Sequence, residues 1–352
     1  MAKKFIKSNE NTVSAEDRAL NTFADMLIAK IESIKNDWKK PWFTEGSIAW
    51  PTNIDGREYN GMNTFMLAML CEEKGYKLPV FATCNRIDAL NYKIVNGKRI
   101  PLTDKNGDKL PLVHVLKGEK SFPVFLTNFF IKDANGNRIT KEEYDNLEHE
   151  SQKDYEVHPN MKVYNVFAIE QTNIAEARPE LYAKIQERAG QVKPMELNDG
   201  VSFSFPAFDD MVTTGGWVCP IDVMHQDKAA YNIKKDRIIL PEKSQFKDGE
   251  SYYGTAFHEC IHSTGHKDRL NRNLEGGHFG DHAYATEELI AEMGSALTAH
   301  RYGFFHVTSE ESCAYIKCWL KNLKQEPSYV KRLLLDVKHA TYMLTQKIGI
   351  IE

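Results

Sequence analysis

The chain has 352 residues, of which 42% are hydrophobic and 27% charged, and its formal net charge is −4. This composition is ordinary for a soluble globular protein, and the length is sufficient for two domains. The sequence contains no apolar run long enough to span a bilayer, no signal-peptide core in its polar first 17 residues and no Cys-x-x-Cys pair among six cysteines, so we expect a cytoplasmic protein without membrane contacts.

Helices and strands alternate along the first half of the sequence. Apolar residues spaced three and four apart predict an amphipathic helix at 14–36, and shorter helices are expected at 63–74 and 85–91. The strand candidates are 79–83, 112–116, 122–131 and 161–169. Asn-Gly pairs between residues 93 and 110 predict hairpin turns. Residues 133–160 open with another such pair and then become acidic and polar, which predicts a solvated excursion.

The second half is expected to be mainly helical. A helix and a linker are predicted for 172–200, and strands and turns for the stretch that ends at Pro241. The later elements are a helix around 258–262, a Gly/His-rich loop at 275–282, an acidic helix at 284–298 and two amphipathic helices near 309–325 and 327–347. The chain up to Lys132 has 20 basic and 15 acidic residues, whereas the remainder has 25 and 34. This asymmetry indicates two surfaces with different partners.

Residues 258–262 read His-Glu-Cys-Ile-His. On a helix, His258 and His262 share a face and can present two imidazoles to one metal ion. Glu259 can then reach a water in the metal's open position, which is the arrangement of a zinc hydrolase. Gly265 lies where a left-handed cap would end this helix. The alternative, a coincidence of two surface histidines, is opposed by the uncharged, proline-free context.

A zinc ion held by two histidines needs a third protein ligand, and His₂Glu is a known set. Glu288 is the expected ligand because it precedes Glu292 by four residues, as the ligand precedes a second acid in thermolysin-like sites. Glu292 would then orient a ligand histidine. The alternatives are Glu292 itself, Asp268 at the last-ligand position of His-x-x-Gly-x-x-His peptidases, and His266. Zn²⁺ is the expected ion, although Mn²⁺ or another divalent ion also fits these donors.

Hydrolysis requires further groups around the metal. The segment 236–241 is a short β-like run ending in proline, and in zinc peptidases an edge strand beside the metal helix commonly pairs with an extended substrate. Glu259 would take the proton of the water and pass it to the leaving amine. Three residues, Tyr252, Tyr284 and His282, are alternative candidates for stabilising the oxyanion. The identity of a peptide substrate does not follow from the sequence.

Basic and aromatic residues are interleaved on the turns of the first half. Lysine and arginine neutralise phosphates, and aromatic rings stack on unpaired bases whatever their sequence. The pattern therefore indicates a surface for single-stranded nucleic acid, although Trp38 and Trp42, four residues apart, could instead belong to the core. The candidate contacts are Lys39, Lys40, Trp42, Arg57, Tyr59, Asn60, Asn63, Lys117 and Lys120.

Seven segments resemble, in the same order, those of the ArdC-type antirestriction proteins of plasmids and conjugative elements. They are WKKPW (38–42), PTNIDGREYNGMN (51–63), LKGEKSFPV (116–124), YNVFAIEQTN (164–173), AAYNIKKDRIILP (229–241), YYGTAFHECIHSTGHKDRL (252–270) and FGDHAYATEELIAEMG (279–294). Two segments, 93–112 and 133–160, look like insertions relative to that pattern. The family's usual Gly-His-x-x-Arg-Leu run does not reserve the position of Asp268 for an acid, which counts against Asp268 as a ligand.

The resemblance implies an α+β protein of two domains. The expected division is an N-terminal α/β domain that binds single-stranded DNA (1–170), a helix and linker (171–200), and a mainly helical, zincin-like metallopeptidase domain with a small sheet (201–352). Metal ligands carry over onto His258, His262 and an acid of EELIAE, and the general base onto Glu259. The implied role is that of a mobile-element protein that protects incoming DNA from restriction, with a gluzincin-like zinc peptidase site.

A binding protein of a different class fits the same residues. In that alternative the chain shields DNA, and its metal site is structural and not hydrolytic. A metal-dependent nuclease is less consistent with the sequence, because the chain has no cluster of carboxylates suited to two metal ions.

Overall fold

The structure is a computed structural model that describes residues 14–36, 42–43, 49–140, 143–144, 146–147, 149–152, 154–189, 203–272, 274, 282–303, 315–324 and 327–349. It has the two-domain α+β architecture expected from the sequence, with a sheet-containing N-terminal region and a helix-rich C-terminal region. None of the helices in these ranges is long and apolar enough to cross a membrane.

The helices are α1 (Ala15–Asn36), α2 (Met62–Lys74), α3 (Cys84–Ala89), α4 (His149–Gln152), α5 (Ile174–Ala177), α6 (Pro179–Ala189), α7 (Pro206–Thr213), α8 (Gly249–Thr264), α9 (His282–Arg301), α10 (Ile316–Leu323) and α11 (Pro327–Ile348). The strands are β1 (Thr52–Asn53), β2 (Val80–Thr83), β3 (Tyr92–Val95), β4 (Lys98–Pro101), β5 (Phe122–Asp133), β6 (Arg138–Ile139), β7 (Tyr155–Ala168), β8 (Ile221–Met224), β9 (Ala230–Asn232) and β10 (Arg237–Pro241).

The N-terminal sheet has the strand order β1-β2-β7-β5-β6. Its main feature is a long antiparallel ribbon of β5 and β7, paired from Phe122↔Val166 to Asp133↔Tyr155. The solvated excursion expected at 133–160 is therefore wrong in part, because β7 begins at Tyr155 and extends the ribbon far beyond the predicted strand. The expected strand at 112–116 is also wrong: this stretch contributes only an isolated bridge, Val115↔Thr172.

The segment 93–112 contains the predicted hairpin. Strands β3 and β4 are joined by Asn96 and Gly97, whose φ angles of 50° and 74° both lie in the left-handed region. Two successive positive φ angles suit a type I′ turn, and asparagine followed by glycine tolerates them best. The second Asn-Gly pair closes a tight turn that is bridged by Thr103 and Lys109.

The C-terminal sheet has the order β8-β10-β9, so the position predicted for the edge strand is wrong. Strand β10, which holds 237–241, is the central strand and pairs with β8 in parallel and with β9 antiparallel. Pro241 is tolerated because it occupies the last position of the strand, where the missing N–H costs least. The edge strand next to α8 is β9.

Helices α8 and α9 pack against each other at the centre of the C-terminal region. Helix α9 is buried on every side from Leu289 to Ala299, with most of its side chains no more than 2% exposed. At Gly294 an added Cβ atom would lie 3.1 Å from three side-chain carbons of the buried Ile261. This glycine lets the two helices approach closely, and the spacing of the candidate ligands depends on that approach.

The first and last helices share the main core, so the two regions are in extensive contact. Helix α1 packs against α11, and Glu16 and Lys331 form an ion pair of 2.7 Å between them. The C-terminal end of α9 also reaches the N-terminal region: the Arg301 guanidinium lies 4.7 Å from the centroid of the Trp50 ring and 2.8 Å from the Glu58 carboxylate.

Gly294→Val is expected to lower the free energy of unfolding by about 1–3 kcal/mol, because its side chain would overlap Ile261 in a filled core. Ala283→Leu adds the same number of carbons at an exposed position of α9 and serves as the control. Urea unfolding followed by circular dichroism measures both. Equal stabilities of the two variants would contradict close packing at Gly294.

Candidate metal centre and nucleic-acid residues

Helix α8 begins at a well-formed cap and holds both histidines on one face. Asp248 caps it, since its Oδ1 accepts a hydrogen bond of 2.7 Å from the Ser251 N–H. The apolar side chains of Phe257 and Ile261 are fully buried on the other faces. Burial on those faces fixes the rotation of the helix and so presents the histidine face to α9.

The end of this helix differs from the prediction. Gly265 has φ −76° and ψ −6°, so it is right-handed, and the predicted left-handed cap is wrong. The glycine is required for a different reason: an added Cβ would lie 3.0–3.1 Å from the guanidinium group of Arg272 and 3.1 Å from Leu274. The chain turns back over the helix end at this point and brings Arg272 beside the metal helix.

The structure brings His258, His262 and Glu288 together. The two Nε2 atoms are 3.0 Å apart, and each lies 3.6 Å from an oxygen of the Glu288 carboxylate. Donors at 2.0–2.1 Å from a tetrahedral zinc ion are about 3.3 Å from one another. The three side chains are thus spaced as ligands of one small divalent ion, and two of the three come from α8 and the third from α9.

The electrostatics of the group favour a cation. Burial disfavours charge on His258, but the carboxylates of Glu288, Glu292 and Glu259 outweigh it and raise the pKa of His258 to about 9. Burial also opposes ionisation of Glu288, yet the neighbouring His258 and His262 lower the pKa of Glu288 to about 2. A buried anionic site of this kind is neutralised either by protons or by a metal ion.

Each histidine has a carboxylate near its Nδ1 atom. The Nδ1 of His262 lies 3.1 Å from Glu287 Oε1, and the Nδ1 of His258 lies 3.7 Å from Glu292 Oε1. A neutral imidazole that donates through Nδ1–H leaves the lone pair of Nε2 directed at the shared position. Glu292 is fully buried and lies beside His258, in the place expected of an orienting residue.

Glu287 and Arg272 were not foreseen from the sequence. Arg272 donates two hydrogen bonds of 2.8 Å to the Glu287 carboxylate and others to Thr264 Oγ1 and the Ile261 carbonyl oxygen. This network anchors the carboxylate that contacts His262. A run of two glutamates at 287–288 gave a signal for an acidic site, but the arginine comes from the turn after α8 and only the fold reveals its partner.

Glu259 lies against the edge strand. Its Oε2 accepts a hydrogen bond of 2.7 Å from the Tyr231 backbone N–H on β9. The Tyr231 hydroxyl donates to Asp236 at 2.7 Å, and Arg269 donates to both the Tyr231 hydroxyl and Asp236. This network holds β9 beside the helix that carries the histidines.

The alternative ligands do not join the three-residue group. Among the described residues, the His, Cys, Asp and Glu side chains that could hold a metal together are His258, His262 and Glu288. The Asp268 side chain is 74% exposed and lies 3.5 Å from His266, and both residues follow the end of α8. The hairpin-like turn after Gly265 therefore separates them from the histidine face.

The candidates for oxyanion stabilisation are separated by the structure. Tyr252 packs in an aromatic cluster with Phe203, Phe246 and Tyr253. Tyr284 instead lies beside the candidate ligand Glu288, and burial together with that carboxylate raises the pKa of its hydroxyl. The side chain of His282 lies outside the described residues.

The residues predicted to contact nucleic acid lie in different environments. Lys39 and Lys40 lie outside the described residues. Trp42 is fully buried and packs edge-on against Phe65 at 5.8 Å, so the prediction that it contacts DNA is wrong and the core alternative holds. Asn63 is committed to the fold: its amide group makes hydrogen bonds of 2.6 and 2.8 Å with the backbone of Phe125.

The remaining candidates form two separate groups. Arg57 and Asn60 are exposed and Tyr59 is half-buried on the segment after β1, which folds back beside that strand. Lys117 and Lys120 are exposed in the loop before β5, where Gln171 donates a hydrogen bond to the Lys120 carbonyl oxygen. The sequence pattern thus corresponds to two small basic surfaces.

Both regions match families of known proteins. Residues 17–167 match the N-terminal domain of the anti-restriction factor ArdC, and residues 215–333 match the zincin-like metallopeptidase family. The chain is 25% identical over 321 residues to the DNA primase TraC of Escherichia coli, a match that covers 90% of the chain but only 26% of TraC. The uncharacterized protein y4eC of Sinorhizobium fredii is 26% identical over 303 residues, with 85% of the chain and 82% of y4eC covered.

Two solved structures share the fold. The metal-free crystal structure of the antirestriction protein ArdC from plasmid R388 superposes with a TM-score of 0.62 at 25% identity, covering 94% of this chain and 97% of that one. The Mn(II)-bound structure of the same protein gives a TM-score of 0.63 at 23% identity, with 97% and 100% covered.

Fold and site together define a protein in which an ArdC-type N-terminal domain precedes a zincin-like domain. Residues 17–167 thus belong to the ArdC N-terminal domain family, and residues 215–333 belong to the zincin-like metallopeptidase family.

Glu287→Gln is expected to weaken the binding of a divalent ion by about 10–100-fold, because the amide holds the His262 ring less firmly than the carboxylate does. His258→Ala should reduce the affinity for the ion further, since it removes a ligand. Competition with a chromogenic chelator measures both, and Glu180→Gln, an exposed position on α6, is the control. Unchanged affinity in the Glu287 variant would exclude an orienting role.

Proposed function

We propose that this chain is a mobile-element antirestriction protein that binds single-stranded DNA and holds a divalent metal in a peptidase-like site. The observation that carries the metal-dependent part is the convergence of His258, His262 and Glu288, with Glu259 next to them on the same helix. The DNA-binding part is supported by the match of residues 17–167 to the ArdC N-terminal domain.

The donor set favours zinc, and the same three residues also suit manganese. Two imidazoles and one carboxylate match the His₂Glu set of hydrolytic zinc sites, and the related R388 protein has been crystallised with Mn(II). A bound divalent ion would supply Lewis acidity to a carbonyl oxygen and acidify a water molecule. Glu288 would bring a negative charge to the ion, and Glu287 and Glu292 would keep both imidazoles oriented.

Glu259 is the residue positioned to move a proton. The Tyr231 N–H fixes one of its carboxylate oxygens, which leaves the group a defined orientation beside His258. A general base in that place takes a proton from water and returns it to the leaving amine. Tyr284, which contacts Glu288, is the candidate to stabilise negative charge on the substrate, and the edge of β9 is the nearest backbone along which an extended peptide could lie.

The alternative is a DNA-shielding protein with a structural metal. It is favoured by one specific observation: the three candidate ligands lie at the contact between α8 and α9, so an ion there would cross-link the two helices. Binding energy at such a contact adds to the stability of the folded state. The two functions are compatible, and the general base distinguishes them.

Glu259→Gln separates hydrolysis from shielding. Glutamine keeps an oxygen to accept the Tyr231 N–H but cannot take a proton, so the fold should be retained and hydrolysis lost. If hydrolysis is the function, protection of unmodified DNA from restriction in cells falls to background, while oligonucleotide binding is unchanged. Glu187→Gln, an exposed position on α6, is the control. Full protection by the Glu259 variant would assign the function to shielding.

Binding to single-stranded DNA should depend on salt. Each phosphate that a basic side chain neutralises contributes about −0.7 to the slope of log K against log salt for a single strand. Replacing Arg57, Lys117 and Lys120 together with glutamine should reduce that slope by about 2 and weaken binding. The matched control replaces Lys184, Lys321 and Lys347, which are exposed elsewhere. A wild-type protein that binds no oligonucleotide at low salt would refute DNA binding.

A further inference from the structure

The β5–β7 ribbon has one face that the core covers at Phe122, Val124 and Val166 but leaves open at Leu126, Phe130, Lys162 and Tyr164. In an antiparallel pair, residues directly opposite each other lie on the same face, and alternate residues along a strand share it. The pairs Val124↔Tyr164, Leu126↔Lys162 and Lys132↔Glu156, together with Phe130, therefore belong to a single face. Arg138 of β6 joins it, because it is paired with Lys132. We call this surface the ribbon face.

The apolar side chains of the ribbon face are unusually exposed for their size. Leu126, Phe130 and Tyr164 are 42%, 44% and 40% exposed. The opposite face of the same ribbon is covered: Ile131 is 1% exposed, and Tyr155 packs edge-on against Tyr144 at 6.1 Å. Tyr144 thus covers this side near the end of the ribbon, whereas Phe130 and Tyr164 remain exposed on the other side.

The charged side chains of the ribbon face are mainly basic. Lys132, Arg138 and Lys162 lie on it with a single carboxylate, that of Glu156, which pairs with Lys132 at 2.9 Å. Arg138 and Lys162 are exposed and form no ion pair within the part of the chain that the structure describes. The Arg138 guanidinium lies 5.7 Å from the centroid of the Phe130 ring. A surface that alternates rings with unpaired cations complements a polyanion that also carries flat bases.

We propose that the ribbon face binds single-stranded DNA, with unpaired bases stacked on Phe130 and Tyr164 and phosphates held by Arg138 and Lys162. Aromatic rings on an open sheet stack on bases of any sequence, and neighbouring cations follow the phosphate backbone. Base pairs of a duplex are stacked on each other and offer no such faces, so the surface discriminates against double strands. Phe130 follows Val124, the partner of Tyr164, by six positions, so the two rings are about 20 Å apart along the ribbon, which is long enough for several nucleotides.

This inference rests on the proposed DNA-binding function and extends it to a surface that lies partly in the segment 133–160. The ribbon face also provides aromatic side chains that can stack on bases. Trp42, an earlier candidate for stacking, cannot do so because it is buried. The two small basic surfaces around Arg57 and Lys117 would then contact phosphates, whereas the ribbon face would supply the contacts to bases.

Fluorescence anisotropy of the full-length protein with a labelled 20-nucleotide oligo-dT tests the inference. Phe130→Ala and Tyr164→Ala should each weaken binding about tenfold, and Tyr164→Phe, which keeps the ring, should bind like wild type. Replacing Arg138 and Lys162 with glutamine should reduce the salt slope by about 1.4. Tyr342→Ala, which removes a tyrosine 63% exposed on α11, is the matched control.

The outcomes separate this inference from the proposed function. If wild type binds and the ribbon variants bind with the same affinity, the ribbon face is not the site and the inference is overturned while DNA binding stands. A wild-type protein that binds no oligonucleotide overturns both. Should an alanine variant fail to fold, photo-crosslinking of wild type to a bromodeoxyuridine oligonucleotide decides: crosslinks at Phe130 or Tyr164 support the ribbon face, and crosslinks confined to other segments overturn it.

Discussion

The close contact between α8 and α9 is the constraint on which the candidate metal centre depends. Two donors come from one helix and the third from the other, so the site exists only where the helices approach within side-chain reach. Gly294 against Ile261 permits that approach, and Arg272 with Glu287 fixes it from the side. Burial of the Glu288 and Glu292 carboxylates beside two histidines is costly unless protons or a cation neutralise them, and a divalent ion at this position would do so.

The same helix that carries Glu288 extends to the N-terminal region. Arg301 at its end contacts Trp50 and Glu58, and His300 lies between the rings of Phe43 and Trp50, at 4.8 and 6.1 Å. Glu288 and Arg301 are thirteen residues apart, or about 20 Å along the helix. The turn that contains Arg57 therefore lies next to the far end of α9. The two regions are joined by this helix and by a shared core.

Much of the site followed from local sequence, and the reason is geometric. Residues four apart on a helix share a face, so the spacing of His258 and His262 predicts that both rings lie on one side. Glu288 could be predicted as a ligand because a carboxylate on a helix rich in small residues can approach a metal. What could not be predicted depends on chain reversal. Arg272 reaches Glu287 only because Gly265 lets the chain fold back, and β9 became the strand beside Glu259 because β10 pairs on both edges.

The fold of the first half was harder to predict from the sequence, because it also depends on contacts between distant residues. Composition suggested a polar excursion at 133–160, but the pairing of β7 with β5 is a long-range contact that hydrophobic periodicity does not report. Trp42 was ambiguous because a buried tryptophan and a stacking tryptophan have the same local sequence. The residue type alone allows either role, and only the burial of the side chain in the folded protein distinguishes them.

We propose that one divalent ion is held jointly by α8 and α9. An anomalous difference map from crystals of the protein grown with zinc tests this directly. We expect one strong peak within bonding distance of His258 Nε2, His262 Nε2 and a Glu288 oxygen. A peak bound by the two histidines and Asp268 or His266, or no peak at this position, would contradict it.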